Sequence, residues 1–205
     1  MVSSGGIKLS FGKGYIQVYT GAGKGKTTAA IGLAIRALGA GKKVLFVQFM
    51  KDKVYSEHKL LSQVSPHIKL ETIGKPFFIA REGDLDAATK EKWQGRVVMF
   101  PPGQPPEEYV NLIQRQGMVK VEEALTNGTY DLVVLDEINV ALYYGLIEVS
   151  QVLHLLQNKK EGVEVVLTGR NAPDQIIAQA DLVTEMQEIK HYYSAGVDAR
   201  KGIEC

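Results

Sequence analysis

The sequence has few of the features that mark secreted, membrane-spanning or nucleic-acid-binding proteins. Its one cysteine, Cys205, cannot form an intramolecular disulfide, which is typical of a reducing compartment. The polar, glycine-rich start has no apolar stretch of a secretory signal, and no apolar run reaches the roughly 18 residues of a membrane span. A net charge of +1 gives no general attraction to nucleic acid or membrane, so any anion site must be local. We therefore expect a cytoplasmic protein with neither kind of partner.

The chain of 205 residues, with 45% hydrophobic and 23% charged residues, suits one domain spanning 1–205. Short apolar runs alternate with helical patterns, which predicts an α/β domain with a mostly parallel central sheet. The predicted strands are Tyr15–Thr20, Val44–Phe49, Ile68–Ile73, Leu132–Leu135, Val163–Leu167 and Leu182–Met186. The predicted helices are Lys26–Leu38, Ser56–Val64, Glu107–Thr126, Glu148–Gln157 and Asp174–Gln179.

Segment 75–106 has the least regular pattern. The prolines between Met99 and Pro106 are incompatible with a central strand or a helix. A loop of this length in a compact domain is usually functional, so we expect an active-site loop or insertion here.

The strongest motif is Thr20-Gly21-Ala22-Gly23-Lys24-Gly25-Lys26-Thr27-Thr28, between a predicted strand and a predicted helix. This context is the one expected of a P-loop, in which glycines let backbone N–H groups point at phosphate oxygens. Lys26 would place an ammonium against the phosphates, and Thr27 would offer a hydroxyl to Mg²⁺. Thr20 stands where the usual pattern has glycine, which indicates a variant loop. The motif predicts a domain of the P-loop, RecA-like class that binds ATP with magnesium.

Two polar elements follow other predicted strands. Asp136 and Glu137 come directly after LVVL, where carboxylates can hold Mg²⁺ or its waters; an acidic cap of the following helix is the alternative. Arg170 ends the next strand, where ligands of open α/β sheets bind. It can clamp a phosphate or form a surface salt bridge.

The loop string Gly21–Ala30 resembles that of the P-loop ATP:cob(I)alamin (corrinoid) adenosyltransferases, which carry the same extra lysine. The likeness continues in order along nearly the whole chain. It includes Val47–Lys51, Val133–Glu137, Leu167–Arg170, Ala180–Met186, Ile189–His191 and Ala195–Glu204.

The resemblance implies that a cobalt(I) corrinoid attacks the 5′ carbon of ATP and that triphosphate leaves. Such a displacement requires the departing polyanion to be held and neutralised, and Lys24, Lys26, Mg²⁺ and Arg170 suit that need. In this family the triphosphate lies reversed in the loop, which exposes the ribose carbon. By resemblance, Thr27 and Glu137 coordinate Mg²⁺ with Asp136 nearby.

The resemblance also implies roles for an aromatic residue and a histidine. Relatives use aromatic side chains to displace the lower axial ligand of the corrinoid, and Phe77 lies in the corresponding stretch, with core packing as the alternative. Lys75 stands where a first aromatic residue is expected. His191 is expected to line the site. Catalysis is thus expected to use Lys26, Phe77 and Arg170. The expected nucleotide contacts come from Gly21 to Thr28 together with Arg170 and His191.

The family further suggests a homodimer and a flavoprotein that reduces cobalt. Some relatives have a long N-terminal helix over the active site, for which this chain has only about a dozen polar residues before the first strand. The segment 99–106 is expected to cover the corrinoid or contact a second subunit. Two alternative functions remain: an ATP-hydrolysing switch, and a corrinoid chaperone without turnover.

Overall fold

The computed structural model describes residues 12–52 and 55–204. Within these described residues there are eight strands, and six of them form the main sheet. The strands are β1 Ile16–Thr20, β2 Val44–Phe49, β3 Ile68–Ile73, β4 Phe78–Arg81, β5 Val97–Phe100, β6 Leu132–Asp136, β7 Glu164–Thr168 and β8 Leu182–Glu185.

Helices connect most of these strands. They are α1 Lys26–Gly39, α2 Ser56–Val64, α3 Ala87–Lys92, α4 Glu107–Leu112, α5 Val119–Asn127, α6 Ile138–Tyr143, α7 Val149–Gln157 and α8 Asp174–Gln179. A π-helical turn, Ile113–Met118, joins α4 to α5, and a 3₁₀ turn spans Tyr192–Ala195. In the described part of the chain, no helix has both the length and the apolar character needed to cross a bilayer.

The order of the main sheet explains where a ligand can bind. It runs β3-β2-β6-β7-β1-β8, and all neighbours are parallel. One strand, β7, separates β1, which leads into the glycine-rich loop, from β6, which ends at Asp136. This arrangement confirms the predicted α/β class and the P-loop, RecA-like three-layer fold. The carboxyl ends of the parallel strands meet at one edge, where such sheets bind ligands.

Alternating side chains of the central strands build two cores. Val47 and Val133 point to the larger core, which α5, α6 and α7 cover. Phe46 and Val134 point to the opposite face, against Ala30, Ala34 and Ala37 of α1. The small alanine side chains let α1 lie close to the sheet, which places its N-terminus beside the strand ends.

The expectation of an irregular segment 75–106 was wrong in part. The segment contains α3 and the strands β4 and β5, which pair in parallel as a separate two-stranded sheet. Two aromatic contacts explain this order: Phe100 packs edge-on against Tyr144, and Phe78 lies against Trp93. The proline-rich stretch after Phe100 begins only where β5 ends, so the prolines end the strand without preventing it.

The helix predicted over Glu107–Thr126 is continuous through its π-helical turn. Gly117 in this turn is buried, and a Cβ placed on it would lie 2.9 Å from Cε1 of Phe49 and 3.4 Å from Cγ2 of Ile73. The helix approaches β2 this closely because position 117 has no side chain.

We expect Gly117→Ala to lower the free energy of unfolding by roughly 1–3 kcal/mol, because Phe49 is fully buried and cannot move away. Gly32→Ala is the matched control: Gly32 lies exposed on α1 with open space around it, so alanine should raise stability by about 0.5–1 kcal/mol. Urea unfolding of both variants measures these changes. Equal effects at the two positions would contradict the close packing of Gly117.

Candidate active site

The glycine-rich loop between β1 and α1 needs glycine for two different reasons. Gly25, the residue before α1, has φ of 118°, which residues with a Cβ avoid. Gly23 lies against the segment after β8: its N–H donates to the carbonyl oxygen of Met186 at 2.6 Å, and a Cβ would come within 2.7 Å of the same oxygen. Thr20 has no positive φ, so its position does not require glycine; its Oγ1 accepts from the N–H of Ala172 at 3.3 Å.

Lys26 lies inside this loop. Its Nζ donates to the carbonyl oxygens of Gly21 at 2.7 Å and Gly23 at 2.8 Å, and the side chain is buried. Burial lowers the pKa of Lys26, the charge of Glu137 opposes this shift, and the net change is downward. An ammonium held by carbonyl oxygens at a helix N-terminus can turn to an anion that the same loop binds.

The side chain at the centre of the site is Asp136, which is fully buried at the end of β6. Its Oδ1 accepts from Oγ1 of Thr27 at 2.8 Å and from Oγ1 of Thr168 at 2.6 Å. Its Oδ2 accepts from Nζ of Lys51 at 2.8 Å and from Nε2 of Gln48 at 3.0 Å. Both oxygens thus accept two hydrogen bonds each. Of the two expected roles of Asp136, as a ligand of Mg²⁺ or as a carboxylate near the ion, this geometry favours the second.

The pair Lys51–Asp136 keeps both members charged. Burial disfavours the charged form of each group. The Coulombic attraction and the hydrogen bond between them outweigh this cost, so the pKa of Lys51 is raised and that of Asp136 is lowered. Asp136 consequently acts as a pure acceptor at neutral pH.

Glu137 differs from Asp136 in backbone conformation, in hydrogen bonding and in the direction of its pKa shift. Its φ of 63° is in the left-handed region, and its side chain does not cap α6, so the alternative of an acidic cap is not realised. Its N–H donates to Oγ1 of Thr168 at 3.0 Å, which fixes the backbone and leaves the carboxylate facing the pocket. Burial and then the charge of Asp136 raise the pKa of Glu137, and nearby cations offset this only in part.

Residues with positive φ follow the strand ends at this edge of the sheet. Met50 comes after β2 with φ of 57°, Glu137 after β6, and Asn171 shortly after β7 with φ of 56°. Such backbone costs of order 1 kcal/mol each and is typical of functional sites. Three of the turns that carry polar groups into the site are thus held in unfavourable conformations by the surrounding fold.

A pocket of about 680 Å³ lies over the loop and these strand ends. It brings together most of the side chains that the sequence indicated: Lys24, Lys26, Thr27, Glu137, Arg170 and His191. Its other walls come from the segment after β2, from the start of α2 and from residues 202–204, namely Lys51, Tyr55, Ser56, Glu57, Leu60, Gly202, Ile203 and Glu204.

Arg170 and His191 occupy the rim of the pocket. Arg170 is exposed and forms no salt bridge with the described part of the chain, so the structure does not show the surface ion pair that was the alternative. His191 precedes the 3₁₀ turn, and its Nδ1 accepts from the N–H of Tyr193 at 3.0 Å. Nε2 is therefore the ring nitrogen that carries a proton in the neutral form.

Phe77 is not brought to this pocket. Its ring packs edge-on against Tyr109, with ring centroids 5.6 Å apart, beside the larger core. Its carbonyl oxygen accepts from the hydroxyl of Tyr109 at 2.8 Å. The structure thus favours core packing of Phe77 over the corrinoid contact that the resemblance implies.

Sequence reasoning missed three contributors to the site. Lys51 was noted only as part of a family-like string, although it is the ionic partner of Asp136. Gln48 lies within a predicted apolar strand, and an amide inside the apolar run VLFVQF is the sequence signal that could have identified it. The third is the chain end, where the carbonyl oxygen of Ile203 accepts from Nζ of Lys24 at 3.2 Å.

The donors present fit a magnesium ion that is held together with phosphate. Thr27 gives its proton to Asp136, and its oxygen accepts a long hydrogen bond from Nζ of Lys51 at 3.4 Å, which leaves one lone pair for a cation. The Glu137 carboxylate faces the same pocket. Among the described residues no three His, Cys, Asp or Glu side chains form a metal cluster. Mg²⁺ commonly takes only one or two protein ligands and completes its shell with phosphate oxygens and water.

Comparison with known proteins agrees with this site. Residues 12–205 match the family model described as ATP:corrinoid adenosyltransferase BtuR/CobO/CobP. A corrinoid adenosyltransferase of Sinorhizobium sp. is 34% identical over 197 residues, covering 94% of this chain and 80% of that protein. One from Escherichia coli (strain K12) is 32% identical over 193 residues, covering 94% and 86%.

Among solved structures, the flagellar accessory protein FlaH from Methanocaldococcus jannaschii shares 14% identity with a TM-score of 0.45, over 85% of this chain and 72% of that one. That likeness is too weak to add to the fold described above. The family model and the relatives cover nearly the entire described chain, and we conclude that this protein belongs to the ATP:corrinoid adenosyltransferase family, a family of alkyl-transferring enzymes.

Proposed function

We propose that this enzyme transfers the 5′-deoxyadenosyl group of ATP to the cobalt(I) of a reduced corrinoid and releases triphosphate. The observation that carries the proposal is one pocket in which Lys26, the N-terminus of α1 and Arg170 surround a space that Glu137 also faces. Such a pocket suits a magnesium-bound polyanion. Family membership supplies the second substrate, the corrinoid.

The reaction needs little from the protein beyond this binding of the magnesium-bound triphosphate. The cobalt(I) lone pair forms a bond to C5′ while the C5′–O bond breaks, and the electron pair of that bond leaves with the triphosphate. Cobalt(I) is itself a strong nucleophile, so no side chain has to be activated. The groups that stabilise the transition state are those that receive the growing negative charge: the loop N–H groups, Lys26 and Arg170.

Magnesium, when bound, supplies further positive charge against the phosphates. In the proposed site Thr27 and Glu137 hold it, and Asp136 acts through Thr27. Because Asp136 takes the hydroxyl proton, the oxygen of Thr27 is oriented towards the cation. By resemblance, the triphosphate lies reversed in the loop, with the ribose carbon open to the corrinoid. A cytoplasmic location, a homodimer and a flavoprotein reductant stay predictions.

Product analysis distinguishes this function from the two alternatives. The full chain is incubated with Mg-ATP and a chemically reduced corrinoid in the dark, without other proteins. We expect a light-sensitive adenosylcorrinoid and inorganic triphosphate in equal amounts. ADP and phosphate would identify a hydrolase, and corrinoid binding without turnover would identify a chaperone.

Lys26→Ala tests whether this lysine binds the phosphates of ATP. We expect ATP affinity to fall roughly 10- to 100-fold, because hydrogen bonds to charged groups contribute about 1.5–3 kcal/mol. Lys43→Ala, an exposed lysine just before β2 at the opposite edge of the sheet, is the control and should bind ATP normally. Titration calorimetry with Mg-ATP gives both affinities. Near-normal binding by Lys26→Ala would refute the role assigned to this lysine.

Lys51→Met tests the buried ion pair. We expect the free energy of unfolding at pH 7 to fall by roughly 3–5 kcal/mol, because Asp136 keeps a buried charge without its cation. Lys69→Met removes an exposed lysine whose partner, Glu71, keeps a second ion pair with Lys120, and should change stability by no more than about 0.5 kcal/mol.

The effect of Lys51→Met should also depend on pH. In the wild type the lowered pKa of Asp136 contributes stability above its unfolded value near 3.8 and loses it as pH falls. In the variant the attraction and the hydrogen bond of Lys51 are lost, and the remaining hydrogen bonds from Thr27, Gln48 and Thr168 oppose burial less completely, so the pKa of Asp136 rises and its ionised form becomes less favourable. The difference between the two proteins should therefore shrink as pH is lowered towards 4. Urea unfolding at several pH values measures it, and a difference independent of pH would contradict the ion-pair account.

A further inference from the structure

A histidine with no assigned role is hydrogen-bonded to the metal side of the site. His58 lies in the first turn of α2, and its Nε2 contacts Oε1 of Gln48. Nε2 of Gln48 donates to Oδ2 of Asp136 at 3.0 Å, and Asp136 accepts from Thr27 through its other oxygen. A continuous chain of hydrogen bonds thus runs from α2 to the hydroxyl in the P-loop.

The direction of each bond in this chain follows from Asp136. Besides Gln48, three donors converge on its two oxygens, from Thr27, Thr168 and Lys51, so the carboxylate acts as an acceptor and Gln48 must turn its NH₂ group towards it. The carbonyl oxygen of Gln48 then faces His58, which has to donate. His58 must therefore carry its proton on Nε2.

The surroundings of His58 favour its neutral form. In the described part of the chain, Nδ1 of His58 is buried and has no hydrogen-bond partner. A proton on Nδ1 would be an unsatisfied buried donor. Burial is the largest influence and lowers the pKa of His58; the charged groups around it are Glu57, Lys51, Asp136 and Asp52.

We infer that His58 is a positioning residue for the magnesium–phosphate site, acting through Gln48 and Asp136. The inference rests on the proposed function, because the site it serves is the one proposed to hold Mg-ATP. The Nε2–H of His58 fixes the orientation of the Gln48 amide, and Gln48 then donates to Asp136. Asp136 in turn accepts the Thr27 hydroxyl proton and so keeps the oxygen of Thr27 oriented towards the cation.

The same contact fixes a wall of the pocket. Ser56, Glu57 and Leu60 line the pocket from the first turns of α2, and His58 ties these turns to β2. Without a donor at position 58, the fully buried Gln48 oxygen loses its partner. An amide flip would then point that oxygen at Asp136, where it would repel the carboxylate.

Two substitutions separate positioning from space filling. In His58→Gln the new side chain can donate an N–H from nearly the position of Nε2. In His58→Leu the new side chain has a size similar to that of histidine but no donor. The readout is the Mg²⁺ concentration that gives half-maximal ATP binding by the full chain, measured by calorimetry without corrinoid. We expect a roughly 10-fold increase for His58→Leu, the effect of about one hydrogen bond, and a change within about threefold for His58→Gln. ATP binding without magnesium should be the same in both.

His67→Leu, at an exposed histidine before β3, is the control and should match the wild type. Equal magnesium dependence in wild type and His58→Leu, or equal defects in the Leu and Gln variants, would overturn the role of His58. Wild-type protein that binds no Mg-ATP would instead overturn the proposed function.

A second measurement needs no variant. The ¹⁵N signals of the His58 ring in the wild-type protein report which nitrogen carries the proton. The Nε2–H tautomer at neutral pH is expected, and an Nδ1–H tautomer would overturn the inference whether or not His58→Leu folds.

Discussion

The arrangement of this site depends on one buried carboxylate. Asp136 lies at the end of a central strand without solvent contact, and four donors from four segments converge on it. A charge in such a place would be destabilising without them. Because Thr27, Gln48, Lys51 and Thr168 must all reach it, the carboxylate fixes the P-loop helix relative to three strands. Function and folding therefore use the same set of contacts.

The two adjacent acidic residues, Asp136 and Glu137, have different environments and different roles. Asp136 is saturated, has a lowered pKa and serves as an internal anchor. Glu137 has a raised pKa and faces the pocket, where it is available to a cation. A bound Mg²⁺ would relieve the repulsion between the two carboxylates. The unfavourable environment of Glu137 is thus one that ligand binding improves, as is common for groups in functional sites.

The sequence predicted the features that follow from local pattern. The strands β2 and β3 and the helices α2 and α8 have the predicted bounds, because apolar periodicity and flanking turns define them. The P-loop was predicted because its glycines are required at fixed spacing. The prediction of irregular structure in segment 75–106 was wrong in part, because the order there comes from contacts such as Phe100 with Tyr144 that no local pattern reveals.

The site could also be predicted only where local motifs mark its residues. Thr27, Glu137 and Arg170 lie in motifs beside strand ends, and the sheet brings them together as expected. Lys51 and His58 reach the site for reasons that no local pattern shows. The register of β2 beside β6 places Gln48 opposite Asp136, and the segment that leads into α2 brings the two side chains close to this pair. The prediction for Phe77 rests on the family resemblance alone, and the packing of its ring against Tyr109 depends on a helix more than 30 residues away in sequence.

We propose above all that the loop holds the triphosphate as a leaving group. The most direct measurement is a crystal structure of the enzyme with a non-reactive ATP analogue, Mg²⁺ and a corrinoid. We expect this structure to show the phosphates along the loop beside Lys26, magnesium between Thr27 and Glu137, and C5′ of the ribose open to the corrinoid. A terminal phosphorus facing an aligned water, with the ribose buried away from the corrinoid, would contradict it.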